Sequence, residues 1–211
     1  MPDRFPVGPL VGDLVRLDPL STGHVDALAH AAEGDRSTFG FTRVPHGRDD
    51  TAAYVGSHLE RAARGDLIPF VVVRRSDDLV VGSTSFLTVR ARPGAAAPYA
   101  VEIGGTWFGA HYQRTGVNLA SKLLLLSQAF GTWGAVRVDF KSDARNIRSR
   151  RALEALGARF EGVLRNWQPS QRPGEEDAYR DSAMFAVVAD DWPGLAEGLR
   201  RRLAAGAAPS G

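Results

Sequence analysis

The chain has 211 residues, 44% of them hydrophobic, a length that suits one domain and buries a sizeable core without disulfides or metals. It has no cysteine, which removes disulfides, thiolate zinc sites and any cysteine nucleophile and fits a reducing compartment. The formal net charge of +2 rests on 24 Arg and 2 Lys, spread along the chain except for Arg145, Arg148, Arg150 and Arg151, without the dense basic stripe that direct nucleic-acid binding needs.

No apolar run approaches the length of a membrane span, and Met1-Pro2-Asp3-Arg4-Phe5 lacks the apolar core of a secretory leader, so a cytoplasmic protein without a membrane partner is expected. Residues 1–10, rich in Pro and Gly, read as an arm. Leu14-Val15-Arg16-Leu17 alternates as a first strand, stopped at Asp18-Pro19. Ser21 is placed to cap a helix through Val25, Leu28 and Ala32 that ends at Gly34. Residues 33–48 show no clean period and carry Phe39 and Phe41. Asp49 or Asp50 then caps a helix through Tyr54, Val55 and Leu59, ending at Gly65.

From Ile68 the pattern changes. Residues 70–73 and 79–82 flank a turn at Ser76-Asp77-Asp78 and predict a hairpin whose second strand runs on through Phe86 and Val89. A strand follows over 99–108, then a helix to about Thr132, a strand over 135–140, and a helix with Ile147, Leu153 and Leu156 that Gly157 stops. Strands over 160–167 and 183–188, joined by the polar loop 169–181, precede a helix over 190–203. The order predicts an α+β fold with a mixed, largely antiparallel sheet of about seven strands. It forms one domain over 11–203, between the arm and a flexible tail over 204–211.

One junction stands out. Gln113-Arg114-Thr115-Gly116-Val117-Asn118 joins a strand to the apolar helix opening at Leu119. The first N–H groups of a helix lack intrahelical partners and carry the positive end of its dipole, and Gly116 lets the backbone come close to an anion. The same glycine also serves a tight strand-to-helix turn with no ligand, and spacing alone does not separate the two. His24, His30, His46 and His58 show no ligand spacing, so no metal is expected. His111, beside the junction, reads as a surface residue covering the turn or as a base.

Three segments occur in order: Glu102-Ile103-Gly104 with Trp107-Phe108, residues 113–118, and Asn146-Ile147-Arg148-Ser149 with the run from Leu156 to Arg165. Together they resemble the GCN5-related N-acetyltransferases, in the RimJ/RimL branch that acetylates ribosomal-protein N-termini. Glu102-Ile103-Gly104 with Trp107-Phe108 resembles the family's central strand. Residues 113–118 resemble its pyrophosphate loop, with Asn118 in place of the usual small last residue. Asn146-Ile147-Arg148-Ser149, with Leu156-Gly157-Ala158 and Phe160-Glu161-Gly162-Val163-Leu164-Arg165, resembles its Asn-x-x-Ser helix and the following strand.

The resemblance implies helices on both sheet faces and a splayed parallel strand pair holding the pantetheine arm of coenzyme A. It implies pyrophosphate on the amides around Gln113, Arg114, Thr115, Gly116, Val117 and Asn118, a pantetheine contact from Asn146, and an oxyanion donor among the backbone N–H groups near Trp107 and Phe108. Ser149 becomes the proton donor to the thiolate, against the alternative of a solvent-facing helix hydroxyl. Glu102 becomes the general base and an acceptor contact, against the alternative of a salt-bridged strand residue. A base found in the best-known enzyme of the branch is not carried over, because Gln168 fills its place. The Arg145–Arg151 cluster either reaches the 3′-phosphate or is a solvated helix face. Phe39, Phe41 and the 169–181 loop are expected to contact the acceptor.

The implied activity is transfer of an acetyl group from acetyl-CoA, without a metal, to a primary amine. A protein or peptide N-terminal α-amine is favoured, because its pKa near ~8 leaves more neutral amine than a lysine near ~10.4. The alternatives are a small-molecule or antibiotic amine as acceptor, succinyl-CoA as donor, or a non-catalytic acyl-CoA-binding regulatory module. A homodimer is a further expectation from the resemblance.

Overall fold

The computed structural model describes residues 5–207; residues 1–4 of the expected arm and 208–211 of the expected tail lie outside the described residues. Eight strands form one sheet in the order β1-β2-β3-β4-β5-β6-β8-β7. They are β1 (Leu10–Val11), β2 (Val15–Pro19), β3 (Leu67–Arg74), β4 (Leu79–Arg90), β5 (Ala100–Phe108), β6 (Arg137–Asp143), β7 (Arg159–Pro169) and β8 (Tyr179–Val188). Every neighbouring pair is antiparallel except β5 and β6. The strand beyond the expected seven is β1, a two-residue pairing of Leu10 with Leu17 and Val11 with Arg16, too short for alternation to reveal.

The helices are α1 (Val25–Ala32), α2 (Gly47–Ala63), α3 (Val117–Leu126), α4 (Ile147–Leu156) and α5 (Trp192–Ala207). They cover both faces, as strand alternation demands. On one face Val101, Val138, Phe140 and Phe185 pack with Leu125 of α3, Leu153 of α4 and Leu199 of α5. On the other, Val71, Val73 and Trp107 pack with Leu28 of α1 and Tyr54 and Val55 of α2. The helix at Gly47 begins earlier than Asp49, because the Asp50 carboxylate reaches back to accept from the His46 N–H at 2.9 Å. The helix expected to reach Thr132 leaves α geometry at Ser127 and finishes as a π-helical turn to Thr132. α5 runs to Ala207, past the expected end at residue 203.

Candidate functional site

β5 and β6 pair only at Ala100–Arg137, Val101–Val138 and Glu102–Asp139. Past Glu102, β5 stays on β4 as far as Phe108 and β6 stays on β8 as far as Asp143, so the two parallel strands part as a V. Inside the V, β5 carries a bulge. Ser83 faces Trp107 but Ser85 faces Gly104, one residue more on β5 than on β4, and Gly105 takes a φ of 60°. Such an insertion re-aims the strand beyond it. The Gly109 N–H donates to the Val81 carbonyl at 3.0 Å. The antiparallel alternation then turns the Trp107 amide toward β4 and leaves the Phe108 N–H and carbonyl on the V side. A cleft of about 1740 Å³ runs along the V.

At one end of the cleft stands the loop before α3. Arg114 and Gly116 both have left-handed backbone, φ 64° and 83°. Successive amides in such a turn converge into an anion-binding nest. Gly116 is the N-cap of α3 and no side chain caps the helix, so its first amides remain open. Val117 is buried and anchors the turn, while Arg114, Thr115 and Asn118 are exposed. Gln113 turns inward. Its Nε2 donates to Thr38 Oγ1 at 2.9 Å and to the Phe108 carbonyl at 3.1 Å, and its Oε1 accepts from Arg148 Nη1 at 3.2 Å. That side chain holds the loop in place. His111 is exposed on the turn before it.

α4 closes the same side. The Asn146 Oδ1 accepts from the Ser149 N–H at 3.0 Å and caps the helix, which leaves the Asn146 NH₂ group for another partner. Asn146 and Ser149 both line the cleft. Within the arginine cluster, Arg145 is committed to Asp143 and Glu175, each at 2.8 Å, and Arg150 to the Ala144 carbonyl at 3.1 Å. Arg148 also binds the Thr38 carbonyl, and Arg151 is exposed.

The other half of the cleft opens on the face away from α3. Glu102, only 6% exposed, accepts from Thr88 Oγ1 at 3.2 Å and pairs with Lys141 Nζ at 3.4 Å. Phe39 is buried edge-on against Trp107 with ring centres 6.5 Å apart, so it serves the core as well as the cleft wall. Phe41 lies under the guanidinium groups of Arg145 and Arg172, at 5.7 and 5.5 Å, which brings the 33–48 loop and the 169–181 loop together.

Lys122 and Arg180 are among the cleft residues that were not singled out from the sequence. Lys122 projects from α3 to the V, donating to Thr106 Oγ1 at 2.7 Å with the Phe140 ring 5.7 Å from its Nζ. Burial pulls its pKa from 10.5 down to about 7. Arg180, on β8, lies across from Gln168 of β7, and both line the cleft. A signal for Lys122 was available: the chain has two lysines, Lys122 and Lys141, and both line this cleft.

A free strand edge leading to a nest of open amides is built for an extended ligand that carries amides along its length and phosphates at one end. Coenzyme A has that chemistry, and the residues present fit it: the amides of 114–118 for the pyrophosphate, and the V-side edge of β5 and the Asn146 amide for the pantetheine. No group of side chains suited to a metal ion occurs among the described residues.

The comparisons agree with that class of protein. Residues 15–159 match the acetyltransferase (GNAT) domain, and the chain belongs to that family. It is an N-acetyltransferase, of a family whose acyl donor is acetyl-CoA and whose acceptor is an amine. Among solved structures it is similar to a GCN5-related N-acetyltransferase from Brucella melitensis, with 25% identity, a TM-score of 0.80 and coverage of 95% of this chain and 86% of that one. It is also similar to a T. thermophilus protein assigned as an acetyltransferase, with 32% identity, a TM-score of 0.77 and coverage of 94% and 98%. RimJ of Mycobacterium smegmatis, in complex with CoA-disulfide, shares the fold at 22% identity, with a TM-score of 0.72 and coverage of 95% and 98%. Comparison with curated protein sequences gives no match.

Proposed function

We infer that the enzyme transfers an acetyl group from acetyl-CoA to the α-amine of a protein or peptide N-terminus, as a RimJ/RimL-like member of its family. The observation that carries this reading is the shape of the acceptor half: a wide cleft on the face away from α3, floored by Glu102 and walled by two loops that meet at Phe41. An extended chain end has room there. The shared fold with RimJ supports it.

Acetyl-CoA supplies an activated acyl thioester. The remaining chemistry falls to the chain. Glu102 holds the incoming amine and takes its proton, directly or through water. The Phe108 N–H, on the V side, donates to the developing oxyanion. Ser149 gives a proton to the departing thiolate. An α-amine, already neutral in useful proportion near pH 8, asks little of Glu102 beyond orientation.

Thiol release from acetyl-CoA with a panel of N-terminal peptides and small amines tests the reading. Peptides are expected to turn over fastest; turnover confined to small amines, or tight CoA binding with no turnover at all, would overturn it. Ser149→Ala should lower kcat by about 10- to 100-fold while acetyl-CoA affinity holds. A wild-type rate removes Ser149 from the proton path.

A further inference from the structure

Arg180 is 7% exposed, lines the cleft, and has no hydrogen-bond acceptor for its guanidinium among the described residues; its Nε is buried and unsatisfied. Burying a charge without a partner is strongly unfavourable, so such a group is informative. The nearby acids are already engaged. Asp143 has both oxygens on Arg145, and Arg145 shares itself further with Glu175. Glu102 is held by Lys141 and Thr88. Across the β7–β8 ladder Arg180 meets Gln168, which has no charge to give. Burial pulls the guanidinium below its ordinary pKa, with only partial relief from Asp143 and Glu102.

The strand register places Arg180 on the same sheet face as Glu102. Glu102 sits opposite Asp139, Lys141 is two residues further along β6, and Asp143 sits opposite Ser182, two residues from Arg180 on β8. Glu102, Lys141 and Arg180 therefore share one sheet face, the face away from α3. The donor enters from the α3 side, through the nest and the V. Arg180 couples electrostatically to Glu102, so an amine held at Glu102 would meet the field of a guanidinium that has no acid of its own among the described residues.

We propose that Arg180 binds a carboxylate or phosphate carried by the acceptor, so that the substrate is an amine with an anionic group a few bonds from its nitrogen. The proposal rests on the acyl-transfer reading of this site and narrows its acceptor. For a peptide acceptor the anionic group is an acidic side chain next to the N-terminus; for a small acceptor it is the carboxylate of an amino acid or the phosphate of an amino-phosphate.

The test uses acceptor pairs that differ by one charge, Ala-Asp against Ala-Asn peptides and a free amino acid against its amide, with wild-type enzyme, Arg180→Met and Arg180→Gln. Wild type is expected to favour the anionic member of at least one pair by about 10-fold in kcat/KM, mostly through KM, and both variants to bring that ratio near 1. Arg180→Met should also melt above wild type, because it removes a buried unpaired charge. No preference in wild type, or the same preference in the variants, overturns the proposal. So does a preference for succinyl-CoA over acetyl-CoA with a neutral acceptor that is lost in Arg180→Met, which would give Arg180 to the donor. Discrimination among free amino acids with no peptide turnover keeps the Arg180 assignment and sinks the N-terminal reading. Turnover of peptides with no discrimination in either acceptor pair does the reverse, and no turnover of any amine sinks both.

Discussion

Lys122→Met is expected to melt about 5 to 10 °C above the wild-type protein at pH 6, with the gap closing as the pH climbs toward 10. The Lys122 side chain stands in an apolar helix, in a residue 5% exposed, against Thr106 Oγ1 and the face of Phe140. No carboxylate lies within hydrogen-bond distance of it among the described residues. The unfolded chain keeps its proton up to about pH 10.5, whereas burial makes the folded protein release it near pH 7. Below pH 7 both states are protonated and the folded state bears the full desolvation cost. Between pH 7 and 10.5 the unfolded state holds more protons, so wild-type stability rises with pH across that window. The Thr106 hydrogen bond and the ring contact offset a share, leaving roughly 3 kcal/mol at pH 6. Methionine is of similar length and fills the space without a charge. Thermal melts of both proteins from pH 6 to 10 decide the matter. A variant that melts lower at pH 6 would show that the contacts outweigh the desolvation.

Lys122 also shows where sequence reading stops. Nothing local in Leu119-Ala120-Ser121-Lys122-Leu123-Leu124 says that the lysine stem runs under the V, since a long side chain is free to snorkel to solvent from such a helix. The elements on either side were legible because they rest on local chemistry: Gly157 ending α4 at φ 102°, and the apolar runs of β3 and β4 flanking a polar turn. The V itself is tertiary. Its parting depends on β5 and β6 keeping different neighbours, and on one extra residue at Gly105 and Thr106 that is visible only against β4. Phe39 and Phe41 show both outcomes. The sequence marked both as acceptor contacts; only packing separates Phe39, wedged against Trp107, from Phe41, which two arginines cover. Arg180 lay in a polar stretch where an arginine normally finds solvent or an acid, and its lack of a partner appears only once Asp143 is seen held by Arg145.

Gly116→Val should weaken acetyl-CoA binding by about 100-fold while the protein stays folded. Gly116 holds φ at 83°, a conformation that costs a β-branched residue on the order of 1–3 kcal/mol. A Cβ there would stand 3.3 Å from Leu14 Cδ2, so the valine methyl groups would press on the segment just before β2. The backbone has an inexpensive escape, rotation of this one residue out of the left-handed region. That rotation swings the amides flanking Gly116 out of the nest and leaves the body of α3, anchored by buried Val117, Ala120 and Leu125, where it was. A pyrophosphate on those amides then loses two charge-assisted hydrogen bonds, each contributing about 1.5 kcal/mol. Calorimetric titration with CoA measures the loss. The companion measurement is turnover of a truncated thioester, acetyl-N-acetylcysteamine, which keeps the acyl group and one amide but has no pyrophosphate. It should fall far less than turnover of acetyl-CoA, because its contacts lie along β5 and not at the nest. Equal losses for both donors would mean that the substitution had deformed the V, and unchanged CoA affinity would mean that the phosphates rest elsewhere.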